Sequence, residues 1–166
     1  PTQSPTQAPS QGSTVVVPSG KEVTISDEKV SKVVLEGDAI VTIQTSSDIN
    51  ISPSAGNHQK TTLTLNVIKA SKLKITSFDD ITVKLNSDAP VSFEDSTAVT
   101  IEASKPLSIN QLNSHSTRKA STFKASGSEV TIKQVTLNGQ DKTISFEGKS
   151  VIQDIQVNGN TKGTLN

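Results

Sequence analysis

SDAPVSFEDSTAVTIEASKPLSI, residues 87–109, decides how this chain is read. Three apolar–polar–apolar triplets occur in it: Val91-Ser92-Phe93, Val99-Thr100-Ile101 and Leu107-Ser108-Ile109. They start eight residues apart. Strict alternation over so short a run marks a β-strand with one buried and one wet face. The segments between are turn-like: Asp and Ser hydrogen-bond to nearby backbone. Pro90 and Pro106 stand just before strands, where a missing N–H does least harm.

The pattern extends outward in both directions. Towards the N-terminus lie Val23-Thr24-Ile25, Val33-Val34-Leu35, Val41-Thr42-Ile43, Ile49-Asn50-Ile51, Leu63-Thr64-Leu65, Leu73-Lys74-Ile75 and Ile81-Thr82-Val83. Towards the C-terminus lie Val130-Thr131-Ile132, Val135-Thr136-Leu137, Ile144-Ser145-Phe146 and Ile155-Gln156-Val157. No stretch holds a helical period. Every third triplet recurs at about 26 residues, as from Val23 to Ile49, Leu73 to Val99 and Ile81 to Leu107. That spacing predicts an all-β solenoid, a parallel β-helix with three short strands per coil of about 26 residues and five or six coils. A β-sandwich, with strands between turns every 8–12 residues, is the alternative. Ser52 to Thr62 and Asn110 to Ala125 break the beat and are expected to be longer loops.

Composition agrees with a thin β core. Hydrophobic residues make up 31% of 166, and the four aromatic residues are all Phe. Val, Ile and Thr suit a pleated, half-buried surface. Sixteen basic residues balance sixteen acidic ones, and Arg118 is the only Arg. This balance, without stacking aromatics beyond Phe, argues against nucleic-acid binding. No apolar run approaches a membrane span. The absence of Cys excludes a zinc finger or a redox pair.

Residues 1–12, PTQSPTQAPSQG, form a separate segment with a near-repeat and clustered Pro. This composition favours an extended spacer or an O-glycosylated stalk, with 13–166 as a single solenoid domain. The chain shows neither a signal peptide nor an initiator Met, as expected of a processed form or an excerpt of a longer chain. In coil length and short strands, the region from Val23 to about Val157 resembles the pectin-lyase-like parallel β-helix architecture carried by many surface and adhesion proteins. The spacer resembles Thr/Pro linkers of secreted proteins in eukaryotic microbes. Neither likeness carries a family motif, so neither transfers a functional residue.

Chemistry is sparse. His58 and His115 fall in expected loops; Ser114 and Ser116 neighbour His115, but no nucleophile elbow accompanies them. Asp79-Asp80 and Glu94-Asp95 are the paired carboxylates that glycoside hydrolysis or a lyase would need; Asp79, Asp80 and Asp95 fall in turn segments and Glu94 at a strand end, positions that favour turn and solubility roles. No catalytic residue, cofactor site or metal site is assigned, and no cofactor is expected. Asp79, Asp80, Asp88 and Asp95 are calcium candidates if corners of successive coils bring them together. Thr24, Thr42, Thr64, Thr82 and Thr100 raise an ice-binding row, interrupted by Asn50, Lys74, Ser92 and Ser108. Asn50-Ile51-Ser52 is the only N-glycosylation sequon, with Asn50 at an outward strand centre. Thr2, Ser4, Thr6 and Ser10 are O-glycan candidates.

These features lead to the expectation of a non-enzymatic extracellular or cell-surface module, structural or adhesive. Open solenoid ends would let it self-assemble end to end into a fibre. Its expected partners are copies of itself, other surface proteins or carbohydrate, with neither nucleic acid nor membrane insertion. A polysaccharide-binding or polysaccharide-degrading β-helix protein is the alternative.

Overall fold

A computed structural model of the chain describes residues 13–56, 59–69, 72–85, 88–115, 117–139, 141–158 and 163–165, the last for backbone only. The O-glycan candidates in 1–12, together with His58 and Ser116, lie outside the described residues. The described elements are all strands: β1 (Ser13–Val17), β2 (Lys21–Ile25), β3 (Val30–Leu35), β4 (Ala39–Gln44), β5 (Ile49–Pro53), β6 (Thr61–Lys69), β7 (Leu73–Thr76), β8 (Asp80–Leu85), β9 (Val91–Glu94), β10 (Ala98–Ala103), β11 (Leu107–Asn113), β12 (Ala120–Asn138), β13 (Lys142–Ile152), β14 (Ile155–Asn158) and β15 (Gly163–Leu165).

The odd strands β1 to β11 hydrogen-bond in sequence into one row, and the even strands β2 to β10 into a second. β12, 19 residues long, closes both: Ala98–Ala103 of β10 pairs with its first half and Leu107–Asn113 of β11 with its second. β13, β14 and β15 add the last layers. Pairing is parallel throughout. A parallel neighbour is reached only by a crossover. Here the crossover is the opposite row, so the chain winds into a parallel β-solenoid of about 7 turns. The β-sandwich alternative, built of antiparallel sheets, is thereby overturned.

The coil itself is shorter than the 26-residue expectation. Val33 stacks on Ile51, Ile75 on Phe93, Val23 on Val41 and Val83 on Ile101, each a step of 18 residues. Steps lengthen to 24 from Ile51 to Ile75 and from Val99 to Phe123. Each short coil holds two strands, not three. The 26-residue interval joined strands of different rows: Val23 lies in β2 and Ile49 in β5. A third segment appears only near the C-terminus, where Leu107–Ile109, Val130–Ile132 and Ser150–Ile152 stack as an extra side.

The expected loop from Asn110 to Ala125 shrinks to residues 114–119. β11 extends to Asn113 and β12 starts at Ala120. Inward positions there are Leu112, Ser121, Phe123 and Ala125, all buried. Alternation persists, but small Ser and Ala replace the large apolar residues that reveal it. The break at Ser52–Thr62 is confirmed more closely: β5 ends at Pro53 and β6 starts at Thr61.

The interior is a column of Val, Ile and Leu, joined by Phe78, Phe93 and Phe123, all fully buried. Phe146 packs against Phe123 with ring centroids 6.0 Å apart. All four Phe residues lie at or beyond position 78. Phe146 stacks on Phe123 over a 23-residue step, whereas Phe93 follows Ile75 by 18 residues. Two columns of turns join the rows. Turns from odd to even strands bond to one another along the axis, as Glu36 N–H to Val17 O, Ser54 N–H to Leu35 O and Thr97 N–H to Phe78 O.

Candidate functional site

The outward faces follow from the inward ones, because side chains alternate along a strand. On the odd row, Ile49, Leu73, Val91, Leu112 and Val135 point inward and are buried. Their alternates face solvent in register: Lys32 beside Asn50, Asn50 beside Lys74, Lys74 beside Ser92, Ser92 beside Gln111, and Gln111 beside Gln134. Neighbouring strands lie about 4.8 Å apart, so the five rungs from Asn50 to Gln134 span roughly 19 Å.

These rungs floor a groove of about 590 Å³. Asp48, Lys72 and Pro90 stand along its border, and Glu94 and Asn110 also line it. Lys74 Nζ pairs with Glu94 Oε2 at 2.8 Å. Asp48 and Lys72 each precede the paired residues Ile49 and Leu73, so an acidic and a basic residue stand on adjacent coils at the groove border. The amides form a directed chain: Gln111 Nε2 donates to Gln134 Oε1 at 2.8 Å, and Gln134 Nε2 donates to Asp154 Oδ2 at 3.1 Å. Gln111 Nε2 also reaches Thr136 Oγ1 at 3.2 Å. The sequence flags Lys74 and Ser92 only as interruptions of a Thr row, and Asn50 as that and as a glycosylation sequon. Their common register makes them a surface, and no motif signals that.

Asn50 lies in mid-β5 with its side chain exposed, at one end of the groove floor. Asp79 and Asp95 belong to the odd-to-even column of turns, while Asp80, expected in a turn, opens β8; Asp88 belongs to the other column. Asp79 Oδ1 lies 3.5 Å from Arg118 Nη2, and Asp88 Oδ1 accepts the Ser108 N–H at 2.7 Å. Among the described residues, no group of three His, Cys, Asp or Glu is placed to hold a metal ion. Glu94 is held by Lys74, while Asp95 turns the chain at φ +52°.

His115 Nδ1 accepts the N–H groups of Thr117 and Arg118, each at 3.1 Å, and so shapes its own turn. Ser114 Oγ accepts the Asn138 N–H at 3.0 Å, a link to the next coil. Lys142, buried, donates from Nζ to His115 O at 2.6 Å and Arg118 O at 2.9 Å, tying the 114–119 turn down. Lysine in a tube lined by Val and Ile carries no sequence signal for that role.

The Thr residues divide among three rows. Thr24 stacks on Thr42 and then meets Asn66; Thr82 stacks between Thr62 and Thr100 and then meets Lys124. Thr64 falls in a third row with Lys84, Glu102 and Ser126, which line a smaller groove of about 410 Å³ on the even face.

A second distinctive feature is the C-terminal end. Ile155 stacks on Val135 and Val157 on Leu137, so both occupy inward register. Val135 is 0% and Leu137 1% exposed, whereas Ile155 is 44% and Val157 48% exposed. Among the described residues, β14 pairs with β12 alone.

The fold and these surfaces define the class of protein, a parallel β-solenoid with polar outer faces. No family model, curated protein or solved structure matches the chain.

Proposed function

We propose that this chain is a non-enzymatic extracellular or cell-surface module, structural and adhesive, that stacks end to end with further copies. The observation that carries this reading is the last coil, where Ile155 and Val157 hold core positions yet remain nearly half exposed. A parallel edge with inward-register apolar residues is a template for another coil. Head-to-tail contact of this kind is heterologous and grows into an open filament, not a closed ring. The Pro/Ser/Thr-rich segment 1–12 supports a projected, surface-borne setting, and so does the exposed Asn50 sequon.

Sedimentation velocity and negative-stain electron microscopy across a concentration series test it. Association that lengthens rods in one dimension, and that Ile155→Lys with Val157→Lys abolishes, is the expected result. Monodisperse single solenoids at the highest attainable concentration would overturn it.

A further inference from the structure

We propose that the groove over β5, β7, β9, β11 and β12 binds a neutral, hydroxyl-rich saccharide chain lying along the solenoid axis. This goes beyond the end-to-end reading and stands without it.

Shape is the first argument. The groove's volume of about 590 Å³ falls within the range of ligand-binding clefts. Its floor repeats one rung per coil, which suits a linear polymer with a repeating unit. Chemistry is the second. Asn50 offers donors and an acceptor, Gln111 keeps its Oε1 as an acceptor, Gln134 keeps one Nε2 hydrogen as a donor, and Ser92 adds a hydroxyl that is both. Sugar hydroxyls have the same dual character. The Gln111–Gln134–Asp154 chain holds two of the amides in fixed orientation, which lowers the ordering cost of binding.

Charge is the third. Lys74 is neutralised by Glu94, and Asp48 and Lys72 stand on adjacent coils. Two lysines and two carboxylates among the lining residues leave little net field to attract a polyanion or polycation. An extended peptide fits less well. The floor strands already pair on both sides, so strand addition has no edge to use. Ile49 and Leu73 turn their side chains into the core, leaving Pro90 as the apolar residue at the rim. Peptide side chains would find no apolar pocket there.

The saccharide has two sources: a separate polymer, or a glycan attached to Asn50 itself. The test uses the whole chain in unglycosylated form, titrated with cellohexaose, laminarihexaose, mannohexaose and chitohexaose. Two-dimensional ¹H–¹⁵N NMR follows the side-chain amides. A separate polymer predicts shifts at Asn50, Gln111 and Gln134 with at least one hexaose. It also predicts tenfold or greater weakening in the Gln111→Ala/Gln134→Ala double variant and unchanged affinity in Lys84→Ala on the opposite face. The spectrum of the double variant itself reports whether it folds. An attached glycan predicts no hexaose binding, but contacts from the sugar to Gln111 and Gln134 in protein glycosylated at Asn50. The proposal is overturned if neither source touches these amides, or if the double variant binds as wild type. Preferential binding of an oligogalacturonate or of a polar peptide would also overturn it.

Discussion

Gly148 shows how close the backbones of this coil approach at a single residue. Its φ is +79°, and a β-carbon there would run into the carbonyl oxygen of Ala125 in the coil below. Gly127 stands over Ala103 in the same way. Gly20 has a similar φ of +80° but open space around its Cα. Left-handed backbone costs an L-residue about 1–2 kcal/mol, and steric overlap with main chain adds to that. Gly148→Ala is therefore expected to destabilise the protein by clearly more than Gly20→Ala, which should cost about 1 kcal/mol. Urea denaturation of the two variants measures the difference, and equal losses would contradict the close approach. A glycine at each of these positions was visible in the sequence. That one is packed against a carbonyl and another is free was not, because the contact spans two coils.

Among the elements, the turn between β2 and β3 is tied to the turn after β4. Glu28 Oε2 accepts from Thr45 Oγ1 and from the Ser46 N–H, each at 2.8 Å, and Ser47 Oγ donates to Glu28 O. Hydrogen bonding from Thr45 is the largest cause that lowers the Glu28 pKa below the usual glutamate range. A carboxylate depressed in the folded state stabilises it above the unfolded pKa and loses that effect as pH falls through the folded value. Glu28→Gln should therefore melt below wild type at pH 7. The gap should close as the pH drops below about 4.3, the ordinary glutamate pKa. Thermal melts from pH 7 to pH 2 follow this, and a gap that widens on acidification would reverse the sign. Turn chemistry at Ser26 to Lys29 and at Thr45 to Asp48 was legible as polar, strand-breaking sequence. Their partnership was not, because the residues are seventeen to nineteen apart and meet only when coil follows coil.

At the scale of the whole molecule, each coil touches only its neighbours, and stability behaves as a sum of coils and interfaces. Phe93 lies mid-stack, fully buried, between Ile75 and Leu112. Phe93→Ala should cost about 3–5 kcal/mol. Because the damage is local to one layer, unfolding should split into two transitions as coils on one side melt before those on the other. Fluorescence labels at the two ends, followed through a urea titration, check this. A single transition with an unchanged slope at both ends would show that the stack unfolds as one unit.

Short apolar–polar–apolar runs, scarce aromatics and polar turns were enough by themselves to determine an all-β chain of short strands, since each strand's buried face is written in its own two-residue period; the preference for a solenoid over a sandwich rests on a 26-residue recurrence that in fact links the two rows. Where Ser121 and Ala125 replace larger residues, the same period is hidden, and the first residues of β12, up to Ala125, read as a loop although its Val130 and Val135 triplets read as strand. Coil length was misjudged for a different reason: the triplets of the two rows look alike, and only pairing tells Val23 that its neighbour is Val41 and not Ile49. Tertiary structure alone decided which outward residues share a rung. Asn50, Lys74, Ser92, Gln111 and Gln134 are scattered over 85 residues of chain. Parallel hydrogen bonding across successive coils makes them one groove, and the exposure of Ile155 and Val157 exists only because no further described coil covers the last one.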